Sequence, residues 1–271
     1  DFAGENWGGV LDRRNMNLVS IPTIMGSGSE TSRYAVLFNA NGVKTVIRGW
    51  SLQPSLCILD ENLHNSLPER LIALGAFDTF IHAWETLHAK HEHEQWVSLL
   101  ARNIIDTVMD ATSVETDETY SKKLHSQTKG LARASAMGGI CISNVRTGII
   151  HCLGEASAAI LKISHPLSLA IFYKGCLSRF AEKHHSGARC IRPRYNALGI
   201  EEIIGMWSKV FKMHRIEDDV IQYSRTLKDH VPTIVDYAWQ DSTLMLKEDA
   251  CSPIDKDELR KLVLKCLDHN E

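Results

Sequence analysis

Apolar positions along this chain recur at two different periods. Over roughly the first sixty residues they come in short runs, "NLVSIPTIM", "YAVLF", "VKTVIRG" and "SLCILD", separated by Gly, Asn and Pro. That is the pattern of β-strands joined by turns, with "GSGSE" between the first two. From Ser66 the spacing becomes helical. "SLPERLIALGAFDTFIHAWETLHA" opens with Ser66 and Glu69 at capping-box spacing and Pro68 in the first turn. Helical stretches continue through "WVSLLARNIIDTVMDAT", "YSKKLHSQTKGLARASAMGGICISNV", "GIIHCLGEASAAIL", "PLSLAIFYKGCLSRFAEKHH", "IEEIIGMWSKVFKM" and "KDELRKLVLKCLDH". "SGARCIRPRYNALGI", with its Gly and Pro, reads as a loop. The pattern predicts an α+β chain that is mostly α: a β-containing part over 1–65 and an all-helical part over 66–271.

Composition narrows the class. A chain of 271 residues can bury a sizeable core, and 44% hydrophobic with 23% charged residues is ordinary for a soluble globular protein. A net charge of −3 gives no electrostatic reason to expect nucleic acid or an anionic membrane as partner. No apolar run approaches the ~20 residues of a membrane-spanning helix. The seven cysteines are odd in number, scattered and free of any CxxC, which fits reduced thiols and a cytoplasmic location. The chain begins at Asp1 without a signal-peptide pattern, as a processed or partial chain would.

The candidate chemistry lies in "GIIHCLGEASAAILKISHP". His151 and His165 stand fourteen residues apart, which in an unbroken helix is roughly 21 Å. "KISHP" lets the chain fold back between them, because Ser164 can cap a new helix and Pro166 suits a first turn. Asp78 and His82, at i and i+4, share a helix face. One carboxylate with three imidazoles suits Fe²⁺ or Zn²⁺ better than Mg²⁺ or Ca²⁺. Taken alone, the same residues are more commonly surface or satisfied core histidines and a solvated helix pair. His88, His91 and His93 read as a solvated surface, His184 and His185 as a helix end, Cys152 as a packed thiol, and Trp84 as core or pocket wall. "GSGSE" can present backbone N–H groups to a phosphate.

Several stretches carry a resemblance to the iron-containing alcohol dehydrogenases of the dehydroquinate synthase-like superfamily. "PTIMGSGSE" resembles their PTTxGTGSE segment, "GAFDTFIHAWE" their GxDAxxHAxE helix and "GGICISNVRTGIIHCLGE" their aGxAfsNaxxGxxH stretch. His165 stands at the further fourteen-residue spacing, and "LCILDENLHNSLP" matches the entry to their helical domain. The resemblance implies Asp78, His82, His151 and His165 as ligands of Fe²⁺ or Zn²⁺, with Thr23, Ser27 and Lys44 along a nicotinamide cofactor. It makes 1–65 the remnant of an α/β nucleotide-binding domain and 66–271 a metal-binding catalytic domain.

The expected activity is an alcohol dehydrogenase or aldehyde reductase acting on a small alcohol or aldehyde with NAD(P)H, and a homodimer is compatible with it. Glu155 is the candidate to relay the hydroxyl proton, or else to orient a ligating imidazole. The chain departs from the family in four places. It lacks the glycine-rich GGGSxxD loop, so it is not expected to turn over NAD(P)H by itself. Ile24 replaces a threonine, Glu155 stands where many members carry a further histidine, and Pro166 replaces a glycine. A metal-dependent lyase, dehydratase or cyclase without a nicotinamide therefore stays open as the alternative, as does a non-catalytic remnant that keeps the metal for stability.

Overall fold

A computed structural model describes residues 16–38, 44–89, 94–113, 117–183, 199–241, 246 and 254–270. Four short strands come first: β1 (Val19–Ser20), β2 (Tyr34–Phe38), β3 (Lys44–Arg48) and β4 (Leu56–Cys57). β1 and β4 pair in parallel, while β2 and β3 pair antiparallel with Val36 opposite Val46. The helices are α1 (Glu69–Leu87), α2 (Gln95–Thr112), α3 (Asp117–Ser126), α4 (Thr128–Asn144), α5 (Ile149–Leu161), α6 (His165–Lys183), α7 (Ile200–Met213), α8 (Ile216–Lys228), α9 (Val231–Asp241) and α10 (Lys256–Asp268). The architecture is α+β and mostly α, as the two periods predict.

α1 is the hub. Every residue from Ile72 to Thr86 is buried, which a helix can sustain only when neighbours cover all its sides. α2, α4, α6 and α7 all pack directly on it. Phe77 meets Tyr173, Trp207 and Phe211 edge-on, with ring centroids 5.2, 4.9 and 4.9 Å away. Among the described residues no helix is long and apolar enough to cross a membrane.

Local structure departs from the pattern in two places. Ser66 and Glu69 form no capping box, because Pro68 is the N-cap. The Glu69 carboxylate instead accepts from the Ser121 hydroxyl and lies 3.7 Å from His125 Nε2. The single helix expected over "YSKKLHSQTKGLARASAMGGICISNV" breaks at Gln127 into α3 and α4. There the hydroxyls of Ser126 and Thr128 donate to the carbonyls of Lys123 and His125, competing with the helical ladder. Cys190 and Cys251, like His91, His93, His184 and His185, lie outside the described residues. Cys57, Cys141, Cys152, Cys176 and Cys266 are unbridged. Trp84 is core, and Cys152 is a packed thiol donating to Ala238 O at 3.7 Å.

The "GSGSE" turn is bolted to the helices. Gly28 has φ +62°, and a Cβ on Gly139 of α4 would sit 2.0 Å from Gly28 O, so both positions need glycine. Ser135 Oγ accepts from Gly26 N at 2.9 Å and Gly28 N at 3.3 Å while donating to the buried Glu30 carboxylate at 3.1 Å. These two amides are thus engaged by α4 and do not cradle a phosphate. Burial raises the Glu30 pKa above the usual carboxylate range, so its ionised form depends on such donors. Ser135→Ala removes one partner from three buried groups and is expected to destabilise the fold by about 1–3 kcal/mol, measured by denaturant unfolding.

Candidate functional site

Asp78, His82 and Glu85 follow one another at i, i+4 and i+7 on a single face of α1. His151 lies in the first turn of α5 and His165 opens α6. Between them Lys162 takes the left-handed conformation (φ 54°) that closes α5, and the chain turns back. The fourteen-residue separation therefore brings the rings together: the centroids of His151 and His165 are 5.2 Å apart, and those of His82 and His151 are 4.7 Å apart and stacked.

One oxygen of Asp78 gathers all three. Its Oδ1 is 3.7 Å from His82 Nε2, 3.7 Å from His151 Nε2 and 3.9 Å from His165 Nε2. These spacings are too long for hydrogen bonds. They are close to what an ion dictates, since two ligands ~2.1 Å from a tetrahedral centre lie about 3.4 Å apart. Asp78 Oδ1 and His151 Nε2 are buried without any hydrogen-bond partner. A polar atom is rarely left that way unless something else meets it. Asp78, His82 and His151 are buried and offer ligand atoms within 4.8 Å of one another. His165 is more open, with 29% of its side chain exposed.

The electrostatics agree. Burial would raise the Asp78 carboxyl, but the three imidazoles, His82 foremost, hold it well below the usual carboxylate range. Burial pushes His82 down to about 4. For His151 burial is outweighed by the Glu85 and Asp78 carboxylates, which lift it to about 10.

Glu85 is the residue that the reading of the sequence passed over. Its Oε2 lies 2.6 Å from His151 Nδ1 and accepts from Gly148 N at 2.8 Å, while Oε1 accepts from Ile150 N at 2.7 Å. A carboxylate from α1 thus caps the N-terminus of α5, where Gly148 has no side chain to do so. The same contact fixes the His151 ring with Nε2 turned towards Asp78. The clue in the sequence was the seven-residue step from Asp78, ending the "HAWE" segment.

A cavity of about 540 Å³ opens onto this cluster, with His82, His151, His165, Glu155 and Ser27 in its lining. That volume suits a small-molecule site. Thr23 is exposed and outside the lining. Lys44 begins β3, its backbone paired with Phe38. Of the anticipated residues, the structure therefore groups Asp78, His82, His151, His165, Glu155 and Ser27, and leaves Thr23 apart.

Known proteins share this arrangement of sequence and fold. The family model for iron-containing alcohol dehydrogenases matches residues 1–61. The probable alcohol dehydrogenase EutG of Escherichia coli is 31% identical over 163 residues, covering 60% of this chain and 40% of its own. Over these stretches the chain is similar to iron-containing alcohol dehydrogenases. A 1,3-propanediol dehydrogenase of Klebsiella pneumoniae is 26% identical over 162 residues, covering 57% of this chain and 39% of its own. In these alignments the chain spans about two-fifths of the length of its curated relatives. The likeness of fold extends over the helices. An iron-containing alcohol dehydrogenase from Thermococcus thioreducens superposes with a TM-score of 0.80 at 22% identity, over 94% of this chain and 66% of that one. A sulfoacetaldehyde reductase from Bifidobacterium kashiwanohense, solved with NAD+, gives 0.76 at 17% identity, over 92% of this chain and 64% of that one.

Proposed function

We propose that this chain is a metal-dependent alcohol dehydrogenase or aldehyde reductase, with Fe²⁺ or Zn²⁺ held by Asp78, His82, His151 and His165 and NAD(P)H as hydride carrier. The observation that carries the reading is that the imidazole nitrogens of His82, His151 and His165 all lie 3.7–3.9 Å from one carboxylate oxygen of Asp78, beside a cavity. The donor set is the right one for a borderline divalent ion. Such an ion supplies a Lewis acid for an alcohol or carbonyl oxygen.

The chain's own residues do the rest. Asp78 brings the negative charge of the ligand set. Glu85 accepts the Nδ1 proton of His151 and keeps Nε2 aimed at the gap. Glu155, one helical turn after His151, lines the cavity and accepts or relays the substrate's hydroxyl proton. Val36, Val46 and Ile142 give the cavity apolar walls that limit water around a reacting hydride. Ser27 lies along the nicotinamide, with Thr23 four residues earlier and Lys44 at the start of β3. The division into a β-containing part over 1–65 and a metal-binding helical part over 66–271 goes with this reading.

The test is redox turnover of primary alcohols by protein with any segment upstream of Asp1 restored and loaded with Fe²⁺ or Zn²⁺, followed by nicotinamide absorbance with NAD+ and NADP+. The expected result is metal-dependent alcohol oxidation. Turnover that survives complete metal removal overturns the reading. So does a fully loaded protein that is silent in redox assays but eliminates water from a hydroxylated substrate.

Glu85→Gln isolates the orienting role. It is expected to weaken metal binding by about 10–100-fold in chelator competition. The amide can still accept from the α5 backbone, so the thermal midpoint without metal should move less than in Glu85→Ala. Unchanged metal affinity would leave Glu85 as a helix cap alone.

A further inference from the structure

Two guanidinium groups line the cavity beside the proposed ligand cluster, and a third lies close to them. Arg48, at the end of β3, and Arg146, in the turn before α5, both line it. Arg33, just before β2, stacks on Trp50 at 4.4 Å, and Arg48 lies over the Tyr34 ring at 5.4 Å. Arg48 makes one long hydrogen bond, Nη2 to Ser143 O at 3.5 Å. Among the described residues none of the three forms an ion pair, and Arg33 Nε is buried without a hydrogen-bond partner. Burial and the charges of Arg48 and Arg146 lower the Arg33 pKa, as expected of cations close together. Glu155 is the carboxylate that shares the cavity lining with Arg48 and Arg146.

Holding like charges together costs free energy that a bound counter-charge recovers. Guanidinium forks suit the oxygens of a carboxylate, sulfonate or phosphonate. We propose that the substrate of this site carries an anionic group at the end remote from its reacting oxygen, held by Arg48 and Arg146 with Arg33 behind them. The substrates are then short hydroxy acids or hydroxysulfonates and the corresponding aldehydes. This rests on the reading that the reacting oxygen lies at Asp78, His82, His151 and His165; the arginines supply the other end of the same cavity. A dinucleotide phosphate offers the arginines the same chemistry, and the experiment separates the two.

Metal-loaded protein is titrated calorimetrically, without nicotinamide, against 3-hydroxypropanoate, 2-hydroxyethanesulfonate and the neutral 1,3-propanediol. At least one anion is expected to bind about 10–100-fold more tightly than the diol, as a charge-assisted contact requires. Arg48→Met and Arg146→Met should each remove most of that preference. Equal binding of the diol overturns the proposal. An anion preference that survives in both variants also overturns it, because the acid then contacts the metal instead. Variants that weaken NADPH binding but leave hydroxy-acid binding intact assign the arginines to the dinucleotide and overturn it too. The titration needs no turnover. Arginine-dependent acid binding by a protein that never oxidises the bound acid would remove the dehydrogenase reading and leave the anion site standing.

Discussion

His151→Ala is expected to abolish stoichiometric binding of divalent metal, weakening affinity well beyond the ~10–100-fold that loss of an orienting partner costs. The change removes a ligand nitrogen whose distance to Asp78 Oδ1 is 3.7 Å and does more besides. Glu85 loses its 2.6 Å contact with Nδ1, so a buried carboxylate is left to the backbone amides of α5 alone. Metal analysis of purified variant and parent, with competition against a chelator, measures the effect. Asp78→Asn is the companion: it keeps the size of the side chain but removes the negative charge of the set. Metal retained at full occupancy in both variants would exclude this cluster as the site. His165→Ala should cost less than His151→Ala, because His165 is partly open to solvent and water can take its place.

How much of this was legible in the sequence depends on how local each cause was. The strands and α1 follow from spacing, because a period of two or of 3.6 is written in neighbouring residues. The return of the chain between His151 and His165 was also local, in "KISHP", and the rings do meet. The family motifs then drew Asp78 and His82 into the same group; Asp78, His82 and His151 offer ligand atoms within 4.8 Å of one another, and His165 Nε2 lies 3.9 Å from Asp78 Oδ1. Contacts between elements distant in sequence were harder to see. Glu85 reaches across 63 residues to Gly148 N; its seven-residue step from Asp78 gives the helix face but not the partner. Ser135 is separated from Gly26 by 109 residues, and without that contact "GSGSE" reads as a loop free to hold a phosphate. The arginines are likewise an assembly from three places in the chain, each of which alone passes for a surface cation. Gln127 shows the other kind of error: the apolar period runs on through α3 and α4, while side-chain hydroxyls break the backbone ladder beneath it.

Phe77→Ala is expected to destabilise the fold by about 3–5 kcal/mol, the cost of emptying a fully buried aromatic site that cannot collapse. Phe77 has no exposed surface and meets three other rings edge-on, Tyr173 of α6 and Trp207 and Phe211 of α7. Trp207 also packs on Phe80, 5.4 Å between centroids, so the gap would open between helices that brace one another. Their side chains are too large and too interlocked to slide into the space. In a domain of this size each kcal/mol lowers Tm by roughly 2–4 °C, so a fall of about 6–20 °C is expected in thermal unfolding. Phe77 precedes Asp78 directly on α1, but its ring packs on the aromatic rings of α6 and α7. Saturating metal should therefore raise the Tm of parent and variant through mass action by a similar amount, because it binds only the folded state. A variant that loses metal binding along with stability would show instead that the aromatic cluster sets the position of Asp78. A loss under 1 kcal/mol would mean that α6 and α7 can close over the gap, and that α1 is held by its other neighbours.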